Sequence, residues 1–463
     1  MLCCGAISGQ FLRRFQASKK GLSLLSDLIT KPCAIINRLA NDRSAVVGYH
    51  RFLNNPRVCY HNIMEGHLDF VSKKTKGKHL ICIQDTSEYC YEKHRGFIKE
   101  GTMGVISDDR SLGLRVHPML VLDAEDEFMY GFSSFEIINR IDRRIDTSKH
   151  GYKDIPIEEK ESHRWLSAII NTKSVLSEAE SLTIVSDRES DIYQLWSRVP
   201  DNKTHLIIRS SLKRMFESEG KPLDPFNPSN FVGKTKILLS KEGNRKGREV
   251  ELEVFIHQAW TKKPLALRRQ GNKVDSEQIQ LNVVVTREIV GTTTDPGHQR
   301  AEWILLTDIK TETLQDAELI ISAYKSRWNI EQVFRLTKQK GFELEASQLE
   351  TAHAIENLIA LVFIAAVKVF QMVKSRADQE RPATDVFDDT ELTLITQLNG
   401  RLEGKTEKSR NKHKSGSLAS AIWVIGRLGK WKPEDRDPPG PITLLRGLIA
   451  LRHYMQINSI LSG

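Results

Sequence analysis

An α/β core, interrupted by a β-rich insertion and flanked by helical segments, is the fold class this sequence predicts. Three observations carry that reading. Between residues 79 and 209 short apolar runs, several ending in aspartate, alternate with helical patterns; between 210 and 305 a period-two alternation takes over. From about 315 helical periodicity resumes, on a segment whose polar side chains share one face.

Residues 1–78 read as a helical module. Leu22, Leu24, Leu25, Leu28 and Ile29, then Ile35, Ile36 and Leu39, recur at helical spacing, with breaks at Lys31-Pro32 and at Asn54-Asn55-Pro56. This stretch holds 13 Lys or Arg against four acids, a net +9 that equals the formal charge of the whole chain. A basic end on a balanced body is either a solvated face or an electrostatic footprint for nucleic acid.

The core opens at His79-Leu-Ile-Cys-Ile-Gln-Asp85, a buried strand ending in a carboxylate. Two further strands follow, over 117–123 and 128–135, joined by the acidic turn 123–127, which water should solvate. A helix over 158–177 carries Trp165, Leu166, Ile169 and Ile170. Ser181-Leu-Thr-Ile-Val-Ser-Asp187 is a fourth strand, then come a helix through Ile192 and Leu195 and a strand over 205–209. Three strands, a helix, a strand, a helix and a strand match the ribonuclease H-like architecture, with 79–209 as its first part. In such a sheet the first and fourth strands are neighbours, so Asp85 and Asp187 would meet.

Residues 210–305 read as an inserted β subdomain, its strands including 234–239, 250–256, 279–285 and 301–306. The basic connection Lys241-Glu-Gly-Asn-Arg-Lys-Gly-Arg248 suits either a DNA surface or a solvated hairpin turn. Residues 306–375 return to the core, and 376–415, poor in large apolar side chains, read as an exposed or weakly ordered connector. The whole region 376–463 is expected to be a connector followed by helices, two patterns parted by Asp437-Pro-Pro-Gly-Pro441. Leu444, Leu445, Leu448, Ile449 and Leu451 suit packing within the chain or, as favoured here, dimer contact.

Composition bounds the rest. At 463 residues with 40% apolar content the chain can build a sizeable core, and no run of about 18 apolar residues argues for a membrane span. Met1-Leu-Cys-Cys-Gly lacks the charged start of a secretory signal, so a cytoplasmic location is expected. All six cysteines lie in the first 90 residues without the spacing of a zinc site, and are expected to be reduced thiols.

The chemistry centres on Glu331. If helix is continuous there, Tyr324, Arg327, Glu331 and Lys338 fall within a sector of about 60°. A surface salt-bridge ladder accounts for Arg327 and Glu331 at i,i+4 but not for the other two. Asp85, Asp123, Asp187 and Asp308 each end an apolar run, where aspartate is commonly turn chemistry. Asp85 and Asp187, joined by Glu331 from a packed helix, could converge. Three close carboxylates repel unless cations lie between them. Two divalent ions would relieve that repulsion and promote phosphodiester cleavage.

Tyr324-x2-Arg327-x3-Glu331-x6-Lys338 also matches the tyrosine-arginine-glutamate-lysine pattern of bacterial DDE transposases of insertion sequence family four. Supporting matches are Ile83-Gln-Asp85-Thr86, Val185-Ser-Asp187-Arg188-Glu189-Ser-Asp191, Tyr49-His-Arg-Phe-Leu-Asn-Asn-Pro56, Arg427-Leu-Gly429 and Leu445-x-Gly447-Leu448. From about residue 35 onward the chain resembles that family, and the transposase of transposon five within it. The resemblance implies Asp85, Asp187 and Glu331 as catalytic ligands of two Mg²⁺ or Mn²⁺ ions. It implies Tyr324, Arg327 and Lys338 as phosphate contacts, and Trp303 and Trp328 as supports for a base turned out of the duplex.

The implied partners are double-stranded DNA with terminal inverted repeats, target DNA, and a second copy of the chain in a synaptic dimer. The implied reaction nicks each transposon end, closes and reopens a hairpin, and joins the end to target. Alternatives are a catalytically inactive, transposase-derived DNA-binding regulator and a structure-selective endonuclease of the same fold. His117, where relatives often carry histidine, reads first as a strand-edge residue. The first 30 or so residues follow the family poorly, with a shortened helical lead-in.

Overall fold

The computed structural model describes residues 19–141, 155–210, 217–218, 221–239, 248–289, 300–338, 341–434 and 437–461. The chain forms two compact units. One comprises Met1–Thr75, Thr86–Arg144 and Glu331–Gly463; the other comprises Lys76–Asp85 and Ile145–Ile330.

In the first unit the N-terminal stretch is helical as expected: α1 (Lys19–Thr30), α2 (Ile36–Leu39), α3 (Arg43–Leu53) and α4 (Tyr60–Lys74). Pro32 follows the end of α1, and the Asp42 side chain starts α3 by accepting the Ala45 N–H at 2.7 Å. β1 (His79–Gln84) belongs to the second unit. Back in the first, β2 (Ser87–Cys90), β3 (Gly113–Asp123) and β4 (Met129–Ile138) form an antiparallel set with β3 central. β2 was not legible as a separate strand, because only four residues pair.

The second unit carries α5 (His163–Val175), β5 (Ser181–Ser186), α6 (Tyr193–Arg198) and β6 (Thr204–Arg209). Then come β7 (Phe231–Leu239), β8 (Arg248–Lys262), α7 (Leu265–Arg269), β9 (Gln278–Glu288), β10 (Glu302–Thr307) and α8 (Leu314–Lys325). β1, β5 and β6 run parallel, and their buried Ile, Leu and Val have the near-continuous apolar character of strands covered on both faces. β10 pairs antiparallel with β6 on one side and β9 on the other; β8 and β7 continue outward.

The described strands of the expected inserted β subdomain, 210–305, are hydrogen-bonded to the sheet of β1, β5 and β6 within the second unit. Period-two patterning reveals strands but not which edge they join, since edge pairing is a long-range choice. Within the loop 241–248, only Arg248 lies among the described residues; it pairs with the buried Glu288.

α9 (Trp328–Lys338) contains the boundary between the units, which falls between Ile330 and Glu331. The rest of the first unit is α10 (Ala352–Lys374), α11 (Asp389–Leu402), α12 (Leu418–Leu428) and α13 (Pro441–Leu461). α10 is the unit's axis, touching α1, α3, α4, β4, α12 and α13. Its Phe363 ring stands 5.0–6.4 Å from those of Phe135, Phe132, Tyr89 and Phe334. By length and apolarity alone α10 could cross a membrane, contrary to the expectation from sequence, but most of its residues are buried inside this unit. A helix apolar all round is a core helix when its neighbours cover it.

Two further expectations change. Residues 389–402 lie inside the supposed weakly ordered connector, yet they form α11, with Leu394, Ile395 and Leu398 buried. A capping box between Asp388 and Glu391 starts it, and Glu391 also receives Lys368 at 2.7 Å. Leu444, Leu445, Leu448 and Leu451 of α13, weighed for dimer contact, are buried within the chain. Among the described cysteines, Cys33, Cys59, Cys82 and Cys90 form no disulfide.

Candidate active site

Asp85 and Asp187 share one register position. β1 and β5 are parallel at a constant offset, His79 beside Ser181 and Ile83 beside Val185. Carried two residues past the last pair, that offset sets Asp85 beside Asp187, on strands spaced about 4.8 Å apart. Gln84 Nε2 donates to Ser186 Oγ at 3.1 Å, holding the register where the strands end. After Asp187 the chain turns through Arg188–Ser190, and Ser190 Oγ returns to the Asp187 carbonyl at 2.7 Å.

The two carboxylates differ in surroundings. Asp187 Oδ1 is buried and accepts no hydrogen bond; the Arg188 Nε, at 3.9 Å, is beyond hydrogen-bond reach. A buried carboxylate oxygen without a donor costs free energy that a bound cation would recover. Asp85 is met instead by Arg327, whose Nη1 lies 3.0 Å from Oδ2.

Arg327 reaches Asp85 because the helix breaks. α8 stops at Lys325 and α9 begins at Trp328, so the single continuous helix assumed from sequence is replaced by a turn at Ser326-Arg327. Ser326 Oγ bonds the Ser322 carbonyl at 3.3 Å and Asn329 Nδ2 bonds that of Ser326 at 2.7 Å, local side-chain bonds that compete with helical ones.

Tyr324 ends α8 buried, with its ring edge-on to Trp303 at 5.4 Å between centroids. Burial raises its phenol above the ordinary value; Arg327 and Arg209 oppose that, and Asp187 adds to it. Arg209, at the end of β6, is one of the two cations that counter the effect of burial on Tyr324. The sequence reading missed Arg209, although its place at the end of the strand after β5 was a usable signal. Trp303 is half-buried on β10, and Trp328, also half-buried, opens α9.

Glu331 and Lys338 belong to the other unit. Glu331 is half-buried in the first turn of α9, where the helix dipole favours a carboxylate. Lys338 ends the helix with Nζ 5.3 Å from the Tyr89 ring centre. Burial lowers the Lys338 ammonium, against the pull of Glu345 and Glu88. Among the described residues, no group of three or more His, Cys, Asp or Glu is placed to hold a metal ion.

The remaining strand-end acids have structural roles. Asp123, expected in water, is buried and accepts Tyr130 Oη at 2.8 Å. Asp308 accepts the Leu206 N–H at 2.6 Å and meets His205 Nδ1 at 2.7 Å, tying β10 to β6. His117 is buried on β3 and bonds Thr86 Oγ1 at 2.8 Å.

Residues 161–368 match the family model of the transposase DDE domain. The match includes Asp187, Trp303, Tyr324, Arg327, Trp328, Glu331 and Lys338, and begins after Asp85. It supports a DDE transposase with a ribonuclease H-like core, acting on DNA by transposase-type cleavage and transfer.

Proposed function

We propose that this protein is a cut-and-paste DNA transposase of the insertion sequence family four type, similar to the transposase of transposon five. The observation that carries the reading is that Asp85 and Asp187 directly follow the ends of the paired strands β1 and β5, with an unsatisfied buried oxygen on Asp187. Asp85, Asp187 and Glu331 would hold two Mg²⁺ or Mn²⁺ ions. Bound there, divalent cations would offset the carboxylate repulsion, activate an attacking water or hydroxyl and stabilise the leaving oxygen.

The chain's own groups would do the positioning. Arg327 orients Asp85, and a planar guanidinium is the group best shaped to meet a phosphate beside it. Tyr324, held neutral by burial, would donate its O–H to another phosphate oxygen. Lys338 would add a point charge, and Trp303 and Trp328 would support a base turned out of the duplex, a displacement that costs a few kcal/mol. The substrates are duplex DNA with terminal inverted repeats and target DNA, worked by a homodimer in the cytoplasm. Nicking, hairpin formation, reopening and strand transfer follow in that order.

The test incubates the protein with DNA carrying the inverted repeats that flank its coding region, with Mg²⁺. Wild type should yield 3′ nicks and then hairpins, and Asp187→Asn should yield neither while still binding. A wild-type protein that binds these ends without cutting them would refute the reading. That outcome would favour a second one, a non-catalytic DNA-binding regulator. Its motivation is that Arg327 occupies Asp85 and no three acids stand together among the described residues.

A further inference from the structure

The C-terminal part of the first unit encloses a cavity of about 400 Å³ between the end of α10, α12 and the segment before α13. Lys374, Arg376, His413, Trp423, Trp431 and Pro439 are among its walls. Its size lies within the range of small-molecule sites.

Its polar groups are incompletely matched. Lys374 is engaged by Glu127. Arg376 has no acidic partner among the described residues; its Nη1 donates to the Pro439 carbonyl at 3.0 Å. Burial without a counter-charge lowers its guanidinium below the ordinary value. His413 Nδ1 is buried without a hydrogen-bond partner, and burial lowers that imidazole also. A largely buried cation without an anion is costly, and the cost is recovered when an anion enters.

The apolar wall restricts which anion fits. Trp431 is half-exposed and held in place, its Nε1 donating to the Asp437 carbonyl at 3.0 Å and its carbonyl accepting Arg427 Nη1 at 3.2 Å. Trp423 is buried behind it. A fixed indole beside a guanidinium that has no acidic partner among the described residues offers a stacking surface and a two-pronged anion clamp within one cavity. Phosphate alone would leave the indole unused, and a neutral ring would bring no charge to Arg376.

We infer that this cavity binds a nucleotide, its phosphate on Arg376 and His413 and its base against Trp431, supplied either free or as an unpaired residue of a single strand. The inference goes beyond DNA cutting and does not rest on it, since none of these residues takes part in that chemistry.

The test is calorimetric titration of the full-length protein with deoxyadenosine monophosphate, deoxyadenosine and a five-nucleotide single strand. The monophosphate or the strand should bind saturably, and whichever binds more tightly identifies the source. Deoxyadenosine, lacking the phosphate, should bind at least tenfold more weakly. Arg376→Gln and Trp431→Leu should each weaken binding at least tenfold, and Arg376→Lys less so. Absence of saturable binding by wild type would overturn the inference; so would equal affinity for deoxyadenosine, or wild-type affinity in a folded Arg376→Gln protein.

Discussion

Arg327 and Asp85, 242 positions apart in the chain, form an ion pair of 3.0 Å at the end of the parallel strands. The side chains are 13% and 24% exposed, so water screens the pair only in part. Replacing Arg327 by Ala should lower DNA cleavage by about 10²-fold, the scale seen when one fixed donor is lost from a site of developing charge. Arg327→Lys should recover only part of this, because one ammonium cannot serve carboxylate and phosphate as a planar fork does. Single-turnover cleavage of end DNA measures both; a wild-type rate in Arg327→Ala would contradict the assignment.

Asp187 makes a prediction that needs no DNA. Its partnerless Oδ1 disfavours the metal-free protein, although 30% of the side chain still reaches water. Asp187→Asn should match or exceed the metal-free wild type in melting temperature, a gain of up to about 1 kcal/mol. Millimolar Mg²⁺ or Mn²⁺ should then raise the melting point of the wild type and not of the variant, by mass action on the folded state. Identical shifts in both proteins would argue against Asp187 as a ligand.

His67 on α4 should make stability depend on pH. It is buried and accepts the Phe132 N–H on Nε2 at 3.0 Å, so it stays neutral, its pKa lowered by burial to about 4. The unfolded chain therefore binds more protons than the native one between about 6.5 and about 4. Stability present above about 6.5 falls with acidification across that window, by about 3 kcal/mol in all. Denaturant titrations at pH 7 and pH 5 should show a smaller difference in a folded His67→Gln protein than in wild type.

Gly131 depends on the same imidazole. Its φ is +141°, and a Cβ there would lie 2.5 Å from His67 Nε2. Gly131→Ala should therefore destabilise by roughly 1–3 kcal/mol through strain and overpacking. A melting point equal to wild type would show that β4 and α4 can yield.

Asp27 ties the first described helix to the last. Tyr49 Oη donates to its Oδ2 at 2.6 Å, and Arg452 of α13 pairs with its other oxygen. Asp27→Ala would take the counter-charge from Arg452, leaving it Thr30 Oγ1, and one partner from Tyr49, leaving it Ser23 Oγ, in a site where Asp27 itself is buried, at a cost of about 3 kcal/mol. Asp27→Asn, which keeps an acceptor, should cost less. Thermal melting of the two variants distinguishes a buried ionic tie from simple packing.

The sequence alone determined much of the local structure: strands at 79–85, 181–187 and 205–209, found within a residue of those bounds, the basic helical start, and a candidate carboxylate at each of two strand ends. These are legible because apolar periodicity and strand-end chemistry are properties of a few neighbouring residues. Only the tertiary structure decided that β1 and β5 pair in the register that sets Asp85 beside Asp187, and that the 231–307 strands prolong the core sheet. It also broke the supposed Tyr324–Lys338 helix at Ser326, turned Arg327 to Asp85, and buried the α13 leucines inside their own chain. Edge choice and the burial of the α13 leucines depend on contacts between segments remote in the chain, whose energies no local pattern records.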